Sequence, residues 1–194
     1  MRLRFGLLAV CLFHGLLMTP PATAQNAMPP AFPVGWSAEA KGLDAVTNRL
    51  PLPCGINRIQ GRIKLSAPQR RPQIVPATGL DLIAAGTAVE KVMLHIEDDG
   101  AGHPMLMLNK QGGAKAVDGI HIPVSIAYGR DIAFALAWDA GGRISVTAEG
   151  KQASMMLGTA PAAVEFFVQG GKGDVSDARF DWQGPPAPGC AAPR

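Results

Sequence analysis

The stretch Ile132–Ala148, IAFALAWDAGGRISVTA, decides the fold class. Its first half alternates large apolar side chains with alanine, and its second half alternates apolar with polar side chains. Successive side chains of a strand point to opposite faces, so both halves predict β-strands. The Asp139–Gly142 segment between them has the composition of a tight turn. The stretch therefore predicts an antiparallel hairpin with one apolar face.

The same period of two continues on both sides of this hairpin. Gly-rich or acidic turns separate these segments, among them Glu97–Gly100 and a predicted loop over Gly170–Gly173. Short strands spaced by roughly ten residues indicate an all-β antiparallel sandwich or barrel. Further strands are predicted over 59–65, 91–97, 104–108, 117–125, 152–157, 164–168 and 175–182.

The N-terminal part of the chain has a different composition. Residues 1–24 are predicted to be a signal peptide, residues 25–53 a Pro-rich arm and residues 54–190 the sandwich domain. Within the arm, Ser37 can cap a helix whose apolar residues share one face, so we predict a short helix over 37–50.

An export signal is the best interpretation of the first 24 residues. Arg2 and Arg4 precede a short apolar segment, and Ala22–Thr23–Ala24 matches the cleavage pattern before Gln25. The apolar segment is too short to span a bilayer. A lipoprotein signal at Leu8–Cys11 is the alternative. We therefore expect a secreted or periplasmic protein with no transmembrane segment after signal removal.

Composition limits the possible partners. The chain has 194 residues, of which 47% are hydrophobic and 17% charged, which suits one domain with a sizeable core. The formal charge of +3 falls to +1 when the two arginines of the leader are removed. A nearly neutral protein lacks the basic surface that nucleic acid requires, so no nucleic-acid partner is expected.

Two cysteines remain after the leader is removed, Cys54 and Cys190. An even pair in an oxidising compartment predicts one disulfide, and two free thiols are the alternative. The bridge would tie the ends of the domain together and close a loop of about 135 residues. The chain-entropy relation gives about 4–5 kcal/mol of stabilisation for such a loop.

Residues 130–182 resemble the C-terminal half of a concanavalin A-like lectin/glucanase sandwich, the jelly-roll superfamily that includes laminin-G-like domains. The resemblance is carried by IAFALAWD, AGGR, ISVTAEGK, VEFFV and VSDARFDW. It implies a jelly-roll β-sandwich whose first and last strands are close, which fits the predicted disulfide. The glucanase E-x-D-x-x-E strand and the galectin-type motifs are missing, so the resemblance transfers a fold and no catalytic residues.

Four side chains around one acidic turn form a candidate metal site: His95, Glu97, Asp99 and His103. His95 and Glu97 would point the same way on a strand, and such ligands suit zinc or calcium. A solvated acidic turn is the alternative and the favoured interpretation. We therefore predict no metal site and no cofactor.

The candidate ligand-binding residues are Tyr128, Arg130, Asp131 and Trp36. An aromatic ring can stack on a sugar, and Arg130 and Asp131 supply a planar donor and an acceptor beside Tyr128. Phe32 and Phe167 are further possible platforms, whereas the other aromatic residues follow inward phases.

Three functions stay open at this point. The leading hypothesis is an exported, non-catalytic binding module for carbohydrate or a cell-envelope glycan. A protein-interaction or envelope-structural sandwich is the second, and a glycan-cleaving enzyme with unrecognised residues is the third. Fold analogy alone is a weak basis for choosing among them.

Overall fold

The computed structural model describes residues 35–69, 71–86, 90–112 and 118–181, without the side chains of 42 and 43. Every regular element in these ranges is a strand, which confirms the predicted all-β class. No helix there is long and apolar enough to cross a membrane. The strands are β1 (Gly35–Pro51), β2 (Arg58–Ser66), β3 (Ala77–Ala84), β4 (Lys91–Asp98), β5 (Pro104–Gln111), β6 (Asp118–Ile122), β7 (Ile132–Trp138), β8 (Arg143–Ala148), β9 (Lys151–Met156) and β10 (Pro161–Asp181).

The strands form one antiparallel hydrogen-bonded path that folds into two layers. The order is β6-β5-β4-β3-β10-β2-β7-β8-β9, with β1 along the other edge of β10. Residues 161–169 of β10 pair with β3, whereas residues 172–181 pair with β2. β5 and β6 contact β9, although they lie at opposite ends of this order. Sheet I therefore contains β3–β6, sheet II contains β2 and β7–β9, and both share β10 and β1.

The turn from one sheet to the other lies inside β10. Gly170 has a φ of +59°, a conformation that glycine adopts at little cost. A Cβ on this residue would lie 2.7 Å from Cγ2 of Ile74, so a side chain there would also clash. The predicted loop over Gly170–Gly173 is therefore wrong. These glycines form a corner within one continuous strand.

The predicted helix over 37–50 is also wrong, because β1 occupies these residues. β1 pairs with β10 from Gly35↔Ser176 to Pro51↔Ala163, with a register shift between Ala40 and Ala45. Tertiary pairing overrides the weak helical pattern. The sandwich thus begins at β1, before the predicted boundary at Cys54.

The core lies between the two sheets. The large residues of β7 point inward as predicted, and Ile144 and Val146 of β8 join them. β3 differs from the other strands, because all eight of its residues are buried, those on the outer face of sheet I included. That buried outer face is where the polar side chains described next converge.

Candidate functional site

Buried polar side chains gather on the outer face of sheet I. Five polar or charged residues are buried in the described ranges, and Asp81, His95 and Asn109 share this face on β3, β4 and β5. Asp81 pairs with Met93, which pairs with Asn109, and His95 lies two positions farther along β4. A buried polar group is more informative than an exposed one, because its burial is costly without partners. We call Asp81, Lys91, His95, Glu97 and Asn109 the polar cluster.

Asp81 is the centre of the polar cluster. Its side chain is fully buried, Oδ1 lies 2.7 Å from Nε2 of His95, and Oδ2 accepts a 2.6 Å bond from Nζ of Lys91. Burial alone would raise the pKa of the Asp81 carboxyl. The hydrogen bond from His95 and the charges of His95 and Lys91 outweigh it, so the pKa lies below its usual range. Asp81 is therefore a carboxylate at neutral pH.

His95 lies over a glycine and against an aromatic ring. Its imidazole stacks on Phe167 with the ring centroids 5.0 Å apart and an angle of 9° between the planes. Gly79 lies between the two on β3, and a Cβ there would be 2.9 Å from Cδ2 of His95. The missing side chain at Gly79 makes room for the imidazole. Phe167, one of the suggested sugar platforms, therefore has one ring face covered by His95.

The bond to Asp81 fixes which nitrogen of His95 is left for another partner. A carboxylate can only accept, so Nε2 of His95 carries a proton in this bond, and Nδ1 is the ring nitrogen that is left for another partner. Nδ1 has no hydrogen-bond partner among the described residues, whereas every side-chain nitrogen or oxygen sealed from solvent there has one. Nδ1 is therefore open to solvent and able to form a further hydrogen bond.

Two further polar pairs flank this centre. Nδ2 of Asn109 donates to Oε2 of Glu97 at 3.5 Å, and Gly119 on β6 leaves the space beside Asn109. On the β1 side, Nε of Arg49 lies 3.4 Å from Oε1 of Glu165. The face thus presents amide, carboxylate, imidazole and cationic groups together. Such a set can bind a ligand with several hydroxyl groups.

The four residues of the candidate metal site do not come together. His95 and Glu97 do share a strand face, but Asp99 and His103 lie in the turn that follows β4. The carboxylate of Asp99 accepts hydrogen bonds from the backbone N–H of His103 and from its imidazole. These bonds lower the pKa of the Asp99 carboxyl. No group of three or more His, Cys, Asp and Glu residues suited to a metal occurs in the ranges that the structure describes.

Three of the predicted ligand-binding residues lie in the loop before β7. The hydroxyl of Tyr128 donates to Oδ2 of Asp98, and the ring is half-buried against the core. Arg130 donates to the carbonyl of Ser125 and lies 3.4 Å from Oε2 of Glu149. These contacts fix the conformation of the loop.

Asp131 lies in the same loop, 3.7 Å from Nζ of Lys64. Lys64 and Arg62 point away from the core on β2, so Arg130 and Asp131 border the outer face of sheet II. That face is opposite to the polar cluster. Ligand binding by these loop residues stays a prediction.

Trp36 does not lie beside Arg130. It pairs with Val175, packs against the core and stacks on Phe166 with centroids 5.9 Å apart. Successive cross-strand pairs lead from Trp36 on β1 to Val175 on β10, then to Ile63 on β2 and to Ile132 on β7. Three strand spacings, about 14 Å, therefore separate β1 from β7. Phe32 and Cys190 lie outside the described residues, so the pairing of Cys54 with Cys190 stays a prediction.

Comparison with solved structures identifies the fold. No protein-family model and no curated protein sequence matches the chain. Carbohydrate binding module CBM66 from Bacillus subtilis matches with a TM-score of 0.53 and 9% identity, over 76% of this chain and 91% of that one. CG-16, a homodimeric agglutinin from chicken liver, matches with 0.51 and 10%, over 70% and 100%. The chain has the concanavalin A-like lectin/glucanase fold.

A protein of another class shares this sandwich. Scytalido-glutamic peptidase matches with a TM-score of 0.50 and 12% identity, over 72% of this chain and 75% of that one. A binding module, an agglutinin and a peptidase thus share one architecture. Some proteins with the lectin/glucanase fold bind carbohydrate and others do not. The function of this chain must therefore be inferred from its own side chains.

Sequence reasoning missed Asp81 and Asn109. Asp81 lies in β3, whose run ATGLDLIA does not alternate because both faces are buried. A lone aspartate within an apolar run was the available signal, since such a residue needs a partner when buried. Asn109 gave no signal, because only the register of β5 places it beside Glu97.

Proposed function

We propose that this protein is an exported, non-catalytic carbohydrate-binding module that binds a glycan on the outer face of sheet I. The observation that most directly supports this proposal is the Asp81–His95 pair. It orients His95 so that Nδ1 is open for a hydrogen bond within a face of amide, carboxylate and cationic groups. Sugar hydroxyls both donate and accept hydrogen bonds, so this mixture suits them. The carbohydrate-binding module and the agglutinin of the same fold support the choice.

A glycan-cleaving activity is less well supported by the same face. Asp81 and Glu165 are directly opposite on β3 and β10, which is the kind of carboxylate pair that hydrolysis uses. Such enzymes need one carboxyl group with a raised pKa to protonate the leaving group. Asp81 has a lowered pKa because of His95 and Lys91, and Glu165 lies beside Arg49. We therefore assign a binding role.

A protein-interaction role has little support from the described surface. The large apolar side chains exposed there are Val75, Ile120 and Met156, on a loop, on β6 and on β9. Single exposed apolar residues are ordinary, whereas a docking surface needs a contiguous patch. Export is supported by the leader and by the pair of cysteines that the sequence supplies.

A glycan array with the exported protein tests the proposal. We expect binding to neutral glycans and a loss of about tenfold or more in affinity for His95→Asn, which removes the oriented imidazole and its open Nδ1. His103→Asn is the matched control, because its side chain is 80% exposed in a turn, and it should retain binding within about twofold. A blank array with folded protein would refute the proposal, and so would equal losses in the two variants.

A further inference from the structure

Two methionine side chains lie on the outer face of sheet I, beside the polar cluster. The inward residues of β5 are Leu106 and Leu108, which belong to the core. Met105 and Met107 alternate with them, so they point outward, where both are half-buried. Methionine is ordinarily a core residue. Two thioethers in succession on an outer face therefore have a role to be found outside the core.

An imidazole on β6 lies beside these thioethers. His121 pairs with Met107 in the register of β5 and β6, and Ile122 next to it faces the core, so His121 also points outward. Directly opposite residues on neighbouring strands have their Cβ atoms about 5 Å apart. His121 is exposed, and its ring makes no hydrogen bond or ion pair with the described residues. Its nitrogens are therefore available to a ligand.

The side chain of Met107 extends towards β6. A Cβ on Gly119 would lie 3.2 Å from Cε of Met107, so the end of the thioether lies over this glycine. The missing side chain at Gly119 thus leaves room for Met107 next to the strand that carries His121. Met105 is the diagonal neighbour of His121, at a separation of about 7–8 Å that long side chains can bridge. Met105, Met107 and His121 therefore lie within reach of one another, and we call them the thioether group.

The thioether group is distinct from the proposed glycan site on the same face. The imidazole of His95 lies over Gly79 on β3 and stacks on Phe167 of β10. It therefore leans away from β5, whereas Met107 leans towards β6. The two groups present separate sets of ligand atoms, one over β3 and β4 and the other over β5 and β6.

The donor atoms of the thioether group suit a soft metal ion. Thioether sulfur is a soft ligand that selects Cu(I), and imidazole also binds copper. Zinc sites use thiolate, imidazole and carboxylate ligands, and calcium sites use oxygen, so neither ion favours a pair of thioethers. No group of three His, Cys, Asp or Glu residues suited to a metal occurs in the part of the chain that the structure describes, and methionine is outside those residue types.

We propose that the thioether group is a Cu(I) site, with Sδ of Met105, Sδ of Met107 and one ring nitrogen of His121 as its ligands. A filled d shell imposes no geometry of its own, so three ligands from two neighbouring strands are sufficient to hold the ion. This site goes beyond the proposed glycan binding and does not depend on it.

Competition for Cu(I) between the exported protein and the chelator bicinchoninate, under nitrogen with ascorbate, tests this site. We expect one ion per chain and an X-ray absorption spectrum with both Cu–S and Cu–N ligation. Met107→Leu keeps the apolar volume. It and His121→Asn should each weaken the affinity by about tenfold or more, since loss of even an outer-shell partner costs that much. Met156→Leu and His103→Asn are the matched controls, because both side chains are exposed away from this face, and they should keep the affinity within about twofold.

Several results would overturn this inference. Failure of the folded protein to take Cu(I) from the chelator would do so, as would equal losses in the controls or equally tight binding of Zn²⁺. Copper that remains bound when all three ligands are replaced, and is released by thiol alkylation, would belong to the cysteines instead. His95→Asn should leave the Cu(I) affinity unchanged. A blank glycan array with Met107-dependent copper binding would therefore refute only the glycan proposal.

Discussion

The hydroxyl of Tyr128 donates a hydrogen bond to Oδ2 of Asp98. Asp98 ends β4 and is buried, and its Oδ1 also accepts the backbone N–H groups of Gly100 and Gly102. One carboxylate therefore joins the turn after β4 to the loop before β7. Tyr128 thus has a structural contact beside its predicted role as a sugar platform.

Replacing Tyr128 with phenylalanine separates these two roles. Tyr128→Phe removes the bond to Asp98 and keeps the ring, so we expect a stability loss of about 2 kcal/mol in urea unfolding. Ser145→Ala is the control and should change stability by less than about 0.5 kcal/mol. Retained glycan binding in Tyr128→Phe with loss in Tyr128→Ala would support the platform role. An unchanged unfolding midpoint in Tyr128→Phe would contradict the structural role.

The period of two in the sequence is sufficient to predict strands that have one buried and one exposed face. In β7 and β8, Phe134 and Val146 face the core while Ala133 and Ser145 face outward, so the pattern is visible. In β3, Leu80 and Asp81 are both fully buried, so no alternation marks the strand. Local composition also gives a wrong prediction where a glycine forms a corner within a strand, as Gly170 does in β10.

The candidate site depends on contacts between strands, which limits what the sequence can predict. The shared face of His95 and Glu97 follows from their spacing on β4. The partners that define the chemistry, Asp81 and Asn109, come from β3 and β5 through the register of pairing. The sequence of one strand carries no local signal of its register with the neighbouring strand. The metal hypothesis therefore grouped His95 with residues of its own turn, whereas its partner is on the neighbouring strand.

Asp81→Asn should reduce stability in a pH-dependent way. The pKa of Asp81 lies below the usual value of an aspartate, which is about 3.9 in the unfolded chain. Its contribution to stability is therefore present above that value and is lost as the pH falls through the folded-state pKa. We expect a loss of about 3 kcal/mol at neutral pH, because Lys91 and His95 would lose their buried partner. The difference from the unmodified protein should shrink below about pH 4.

Urea unfolding across this pH range provides the measurement for Asp81. Asp131→Asn is the matched control, since its side chain is 44% exposed and its partner Lys64 also lies near Asp174. That variant should lose less than about 1 kcal/mol at any pH. A gap between Asp81→Asn and the unmodified protein that stays constant down to about pH 3 would rule out the ionised pair.

Gly79→Ala should disrupt the strand pair that supports His95. A Cβ at Gly79 would lie 2.0 Å from the carbonyl oxygen of Leu94 and 2.9 Å from Cα of His95, so backbone must move. We expect a loss of about 3 kcal/mol or more. Gly112→Ala is the matched control, because its nearest non-neighbour heavy atom would be 3.9 Å away. Equal thermal midpoints for the two variants would show that β3 and β4 are not packed as described.

Thiol labelling of the exported protein tests the predicted link between the ends of the domain. Without reductant, we expect no labelling of Cys54 or Cys190 after denaturation, because the two would be joined in an oxidising compartment. Reductant should expose both thiols and lower the unfolding midpoint, since the open chain gains conformational entropy. Cys54→Ser should leave Cys190 reactive in the exported protein. Stoichiometric labelling of both cysteines without reductant would exclude the disulfide and remove one of the two supports for export.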